Sequence, residues 1–145
     1  MTFGLFCRAL AVILLSIRPG GTYFLSLNIF DQDKASAYCA TICNSKLASI
    51  HSQSDNQRAI DALKENPYSD RGAWIGLSDA DDSDYWEWDD DTALDYGNLT
   101  NSHGVYPWAV GEPKFNTSND YVFISERDSY HWIARYDYPP SKFPQ

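Results

Sequence analysis

From Trp108 to Asn116 the chain reads W-A-V-G-E-P-K-F-N. A glutamate held by a following proline, in a loop rich in Gly and Asn, presents a carboxylate in one orientation, which suits a metal ion or a sugar hydroxyl. The next residue is Lys114, whose ammonium has three uses open to it: partner to Glu112, replacement for a metal, or ordinary surface charge. Glu87, Asp89 and Glu112 also stand near Trp86, Trp88 and Trp108 in sequence, and paired carboxylates among aromatic rings are the equipment of a glycosidase. No spacing fixes the separation that such chemistry needs. His51, His103 and His131 show no metal-ligand spacing, and the chain has no G-x-S-x-G nucleophile motif. Binding rather than catalysis is therefore expected, and the protein is not expected to be an enzyme.

Helices, strands and one long loop must position these groups. The segment DQDKASAYCATIC places Ala35, Tyr38 and Ile42 on one face of a helix begun by an Asp cap. SQSDNQRAIDALKEN is a second helix, capped by Ser52 or Ser54, with Ala59, Ile60 and Leu63 inward and Pro67 just past its end. TYFLSL, AWIGL, YVFIS and HWIAR read as strands, and YWEWDD as an alternating one. Trp74, Ile75 and Leu77 are expected in the core with Tyr38 and Leu63. Residues 92–119 form a turn-rich loop, and a loop of that length in a compact domain is usually either functional or a sign that its elements are wrongly assigned.

The 145 residues are 43% hydrophobic and 15% aromatic, enough for one domain with a core. Twenty acidic against eleven basic residues give a formal charge of −9, which disfavours nucleic acid and anionic membranes as partners. Ten Tyr, seven Phe and five Trp serve as core filler or as platforms for sugars and proteins. Residues 1–21 read as a signal peptide: Arg8, an apolar run over 9–17 too short to span a bilayer, then Arg18 and Pro-Gly-Gly. Secretion to the extracellular space follows, with residues 22–145 as the domain and no membrane span. Asn98-Leu99-Thr100 and Asn116-Thr117-Ser118 are N-glycosylation sequons at Asn98 and Asn116. Beyond the leader only Cys39 and Cys43 remain, about 6 Å apart if helical. Pairing with each other, free thiols and pairing with another chain all stay open.

Two helices followed by AWIGLSDADDSDYWEWDD, WAVGEP, NDYVFI and HWIA resemble a C-type lectin-like domain, in order and over nearly the whole segment after the leader. The resemblance implies an α+β, C-type lectin-like fold: two helices flanking short antiparallel sheets, with a long loop region. It implies a binding module for a glycan or an extracellular protein. Carbohydrate would meet Trp108, Glu112, Lys114, Asn116, Asn119 and Asp120 on the long loop, and in calcium-dependent members the ion shares those oxygens. Of the five ligand positions the resemblance assigns, Glu112 is kept and Asn119 retains an oxygen. Lys114 carries a cation, and Ile133 and Ala134 carry nothing that ligates. No cofactor is therefore expected at that seat. A second calcium position would draw on Asp79 and Asp120, helped by Asp81, Asp82 and Asp84. The resemblance also places a loop-bracing disulfide at Tyr121 and Asp137, where the chain has no cysteine. The tail YDYPPSKFPQ lacks the expected final strand, because its prolines exclude one. The chain thus reads as a divergent and C-terminally shortened member.

Overall fold

The computed structural model describes residues 13–16, 24–26, 32–42, 45–65, 72–79, 85–97, 105–113 and 121–135. Among the described residues, seven strands form one sheet with two helices, an α+β architecture. Strand β4 (Ala73–Ser78) lies at its centre, between β1 (Ile13–Ser16) and β6 (Tyr121–Ser125), with β2 (Phe24–Ser26) and β7 (His131–Arg135) at the ends. The two-residue strands β3 (Lys46–Leu47) and β5 (Glu87–Trp88) pair with β1 and β4. Most pairings are antiparallel, and β1 meets β4 in parallel through Ile13 and Trp74.

Ala73 to Leu77 are buried without a break. An apolar run without alternation belongs at the centre of a sheet covered on both faces. Trp74 meets Tyr121 and Phe123 edge-on, at 6.4 and 5.0 Å between ring centroids, while Ala73, Ile75 and Leu77 face the main core with Ala59, Ile60, Leu63, Val122 and Ile124.

Helix α1 (Gln32–Ile42) buries Gln32, Ala35 and Cys39. Tyr38, expected inside, is half-buried, because the inward stripe runs through positions 32, 35 and 39. Helix α2 (Gln53–Lys64) begins where the Ser52 Oγ accepts the Asp55 amide at 3.1 Å, and it buries Asn56, Ala59, Ile60 and Leu63. Asp55 in the first turn and Lys64 in the last complement the helix dipole.

One further expectation is corrected. YWEWDD contributes only Glu87 and Trp88 to the sheet, since the chain turns away through Asp89–Asp91, with Asp91 at φ 60°. Residues 13–16, inside the apolar run expected to be a leader, form β1 in the full chain, which leaves the expectation of a leader over residues 1–21 as it stood. Cleavage and strand pairing are alternative fates of one short apolar run, because runs of this length suit both. Cys43, the Asp31 cap, Pro67 and the tail after Arg135 lie outside the described residues.

Candidate functional site

The long loop is built onto β7 from below. Trp132, with no exposed surface, is the hub: Trp108, Tyr96 and Trp88 meet it edge-on at 5.5, 5.8 and 6.0 Å, and Trp86 meets Trp108 at 6.0 Å. Edge-on pairs of this kind each add stability beyond their buried area. The Trp108 Nε1 donates to the Gly97 carbonyl at 2.9 Å. Trp108 was expected to meet carbohydrate, but it is 1% exposed and its ring supports the loop from within.

Residues 107–112 run alongside β7. The Trp132 amide donates to the Pro107 carbonyl at 2.8 Å, and the Ala109 amide donates to the Trp132 carbonyl at 2.9 Å. The next amide along β7, that of Ala134, finds the Glu112 side chain instead: its N–H donates to Oε2 at 3.1 Å. The carboxylate therefore takes the place of the next carbonyl in a parallel ladder. Glu112 is 9% exposed, its backbone amide donates to Ala109, and its peptide bond to Pro113 is cis.

Of the five positions the resemblance assigns to calcium, Glu112, Ile133 and Ala134 lie among the described residues. Glu112 gives an oxygen to the backbone, and Ile133 and Ala134 are apolar and 4% and 5% exposed. Hard cations need six to eight oxygens, and of these three positions Glu112 alone carries a side-chain oxygen. Asp79, proposed for the second calcium position, is 8% exposed at the end of β4. Lys114, Asn116, Asn119, Asp120 and Asn98 lie outside the described residues.

Two polar networks escaped sequence reasoning. The first centres on Asn56, which is fully buried: its Oδ1 accepts from Trp132 Nε1 at 2.9 Å and its Nδ2 donates to the Tyr106 hydroxyl at 2.7 Å. One amide thus ties α2 to the aromatic hub and to the loop. The signal was legible, because Asn56 stands three, four and seven residues before Ala59, Ile60 and Leu63 on the inward face of α2, and a polar residue there needs buried partners. Tyr96 packs beside it. Burial first, then the neighbouring Tyr106 hydroxyl, push the Tyr96 phenol up to about 12, although its oxygen has no hydrogen bond of normal geometry among the described residues. The folded state keeps this proton after the unfolded chain has lost it, so the associated stability is complete below about pH 10 and is lost as pH rises towards 12. Tyr96→Phe should flatten that part of the stability profile, as read by urea unfolding at about pH 9 and about pH 11.

The second network joins His51, Thr92, Asp90, Ser49 and Asp95. Burial opposes ionisation of Asp90, but hydrogen bonds from Thr92 and Ser49 outweigh it and hold the carboxyl below the usual carboxylate range. Thr92, His51 and Asp95 have the connectivity of a nucleophile, base and orienting acid. The direction is wrong for catalysis, since the Thr92 hydroxyl donates to Asp90 and His51 receives no proton from it.

An α+β domain whose long loop is laddered onto an end strand over an aromatic hub defines a lectin-like binding module. Residues 31–138 match the Lectin C-type domain family, and the chain belongs to that family. It is 33% identical over 75 residues to a C-type lectin mannose-binding isoform of Oxyuranus scutellatus, covering 52% of this chain and 42% of that protein. It is 37% identical over 73 residues to struthiocalcin-2 of Struthio camelus, covering 45% and 51%. The chain spans about half the length of these curated relatives. In three dimensions it is similar to human lithostathine, with a TM-score of 0.62 and 20% identity over 74% of this chain and 69% of that one, a likeness that shows the fold. The relatives are binding proteins rather than enzymes. No helix among the described residues is long and apolar enough to cross a membrane.

Proposed function

We propose that the protein is a secreted, N-glycosylated module that binds carbohydrate through its long-loop surface without depending on calcium at the Glu112 seat. The observation that carries this reading is the Glu112 carboxylate bonded to the Ala134 amide at 3.1 Å. A side chain that completes a backbone ladder is set rigidly without a metal. Ile133 and Ala134, buried beside it, supply no oxygen in place of the lost ligands. Lys114 then contributes positive charge near Glu112, and Asn116, Asn119 and Asp120 contribute the donors and acceptors that sugar hydroxyls need. Trp108, buried against Trp132, supports the described part of the loop from within.

A second reading, recognition of a protein, is favoured by the loop's apolar exposure: Val110 is 96% exposed, Val105 58% and Tyr106 44%. A glycan array probed with calcium and again with EDTA separates the two. The expected result is binding that EDTA leaves in place. Strong EDTA-sensitive binding would sink the account of Glu112, and silence on every glycan would favour a protein partner.

A further inference from the structure

Away from the loop surface, the polar network around His51 carries information about charge. His51 Nδ1 lies 2.8 Å from Asp95 Oδ1 and Nε2 lies 3.1 Å from Thr92 Oγ1. A carboxylate only accepts, so Nδ1 bears a hydrogen. The Thr92 hydroxyl has a single hydrogen, and it is committed to the short bond with Asp90 Oδ1. Towards His51 it offers lone pairs alone, so Nε2 must bear a hydrogen as well. Two ring N–H groups make an imidazolium. A neutral ring in the same place would set a nitrogen lone pair against an oxygen lone pair on one side or the other.

The surroundings are compatible with that charge. From α2, Asp55 and Arg58 face the site, paired with each other, and the Asp55 carboxyl accepts the His51 backbone amide. From the segment after β5 come Asp90 and Asp95. Lys46 on β3 is engaged with Asp89. Trp88, whose ring lies 5.9 Å from the imidazole, forms the floor. The segment being held leads through Leu94 and Tyr96 to Gly97, whose carbonyl receives the Trp108 indole. A Cβ at Gly97 would stand 2.6 Å from the Trp132 ring, so this stretch is seated closely against the hub.

We propose that His51 is a proton-operated latch: as imidazolium it pins residues 90–95 to the start of α2, and on losing its proton it releases Thr92 and loosens the stretch through Gly97. Histidine is the side chain whose ordinary charge change falls between about pH 5 and 8, and the latch acts on the root of the long loop whatever the loop binds.

The test is nitrogen-15 NMR on the full chain across that range. At about pH 5.5 the His51 ring should show two protonated nitrogens, and the amides of Thr92, Asp95 and Gly97 should shift along the His51 titration curve. Hydrogen exchange at residues 92–97, corrected for the intrinsic pH effect, should be about tenfold faster at the alkaline end, the size expected for one lost charge-assisted hydrogen bond. Because His51 touches Trp88, His51→Gln risks the core, so Thr92→Val is the second variant. It removes the Nε2 acceptor from an exposed site and should abolish the alkaline rise in exchange at residues 92–97, while His51 still titrates against Asp95. A single protonated nitrogen at acid pH, flat amide shifts in the natural chain, or an unchanged response in Thr92→Val would each overturn the proposal.

Discussion

Gly72→Ala is expected to leave little folded protein. Gly72 opens β4 at φ 106°, a value that residues with side chains rarely adopt, and an added Cβ would lie 1.9 Å from the Ile124 carbonyl oxygen and 2.7 Å from the Phe123 ring. Relief would have to come from the backbone of β6, which cannot retreat because Ala73 and Ile124 are register partners in the central pairing. Conformational strain and a backbone clash together should cost more than about 4 kcal/mol. Gly111→Ala is the matched control: it shares a positive φ, 81°, but has nothing within 4 Å of the added carbon. It should cost only about 1 kcal/mol. Far-UV circular dichroism and urea unfolding of both variants decide the matter. A Gly72→Ala protein as stable as the control would show that the pairing of β4 with β6 is misplaced.

Trp132→Ala should be the most damaging change in the core. It removes the ring on which Trp88, Tyr96 and Trp108 converge, and it deprives the buried Asn56 Oδ1 of its donor. Losing a buried tryptophan costs about 3 to 5 kcal/mol, and an unsatisfied buried acceptor adds about 1 to 3. Trp132→Phe keeps part of the ring and loses the same hydrogen bond, so it should fall between Ala and the natural chain. Equilibrium unfolding of the three proteins gives the order. A Trp132→Ala midpoint close to that of the natural chain would remove Trp132 from its place as hub.

What could be read from the sequence divides along the distance over which each signal acts. The two helices were legible because Ser52 with Asp55 three residues on, and Asn56, Ala59, Ile60 and Leu63 at helical spacing, are local features. Strand β4 was legible from its unbroken apolar run, and β6 and β7 from theirs. The shortness of β5 was not: Glu87 and Trp88 pair with Ser78 and Leu77, and the chain turns away at Asp89–Asp91 although β4 runs on to Ala73. Trp108 misled for a different reason. A tryptophan suits a sugar platform and a core equally, and only the convergence on Trp132 sends it inward. Glu112 stood out in the sequence as a carboxylate fixed by a following proline, but a partner of that carboxylate, the Ala134 amide, is 22 residues away. No local pattern announces that contact.

The Glu112 rung also bears on how this protein stays out of aggregates. β7 ends the main strand order of the sheet, and an end strand with open amides and carbonyls is a template on which another chain can add. Here Pro107, Ala109 and the Glu112 carboxylate occupy that margin at Trp132 and Ala134. The last of these guards is a charged side chain rather than a strand, so it closes the margin without offering a new edge of its own. The loop that carries the proposed binding surface is thus also the sheet's protection against self-templating. Sequence change in it is constrained by colloidal behaviour as well as by recognition, and variants that free the Ala134 amide should lose monodispersity before they lose their fold.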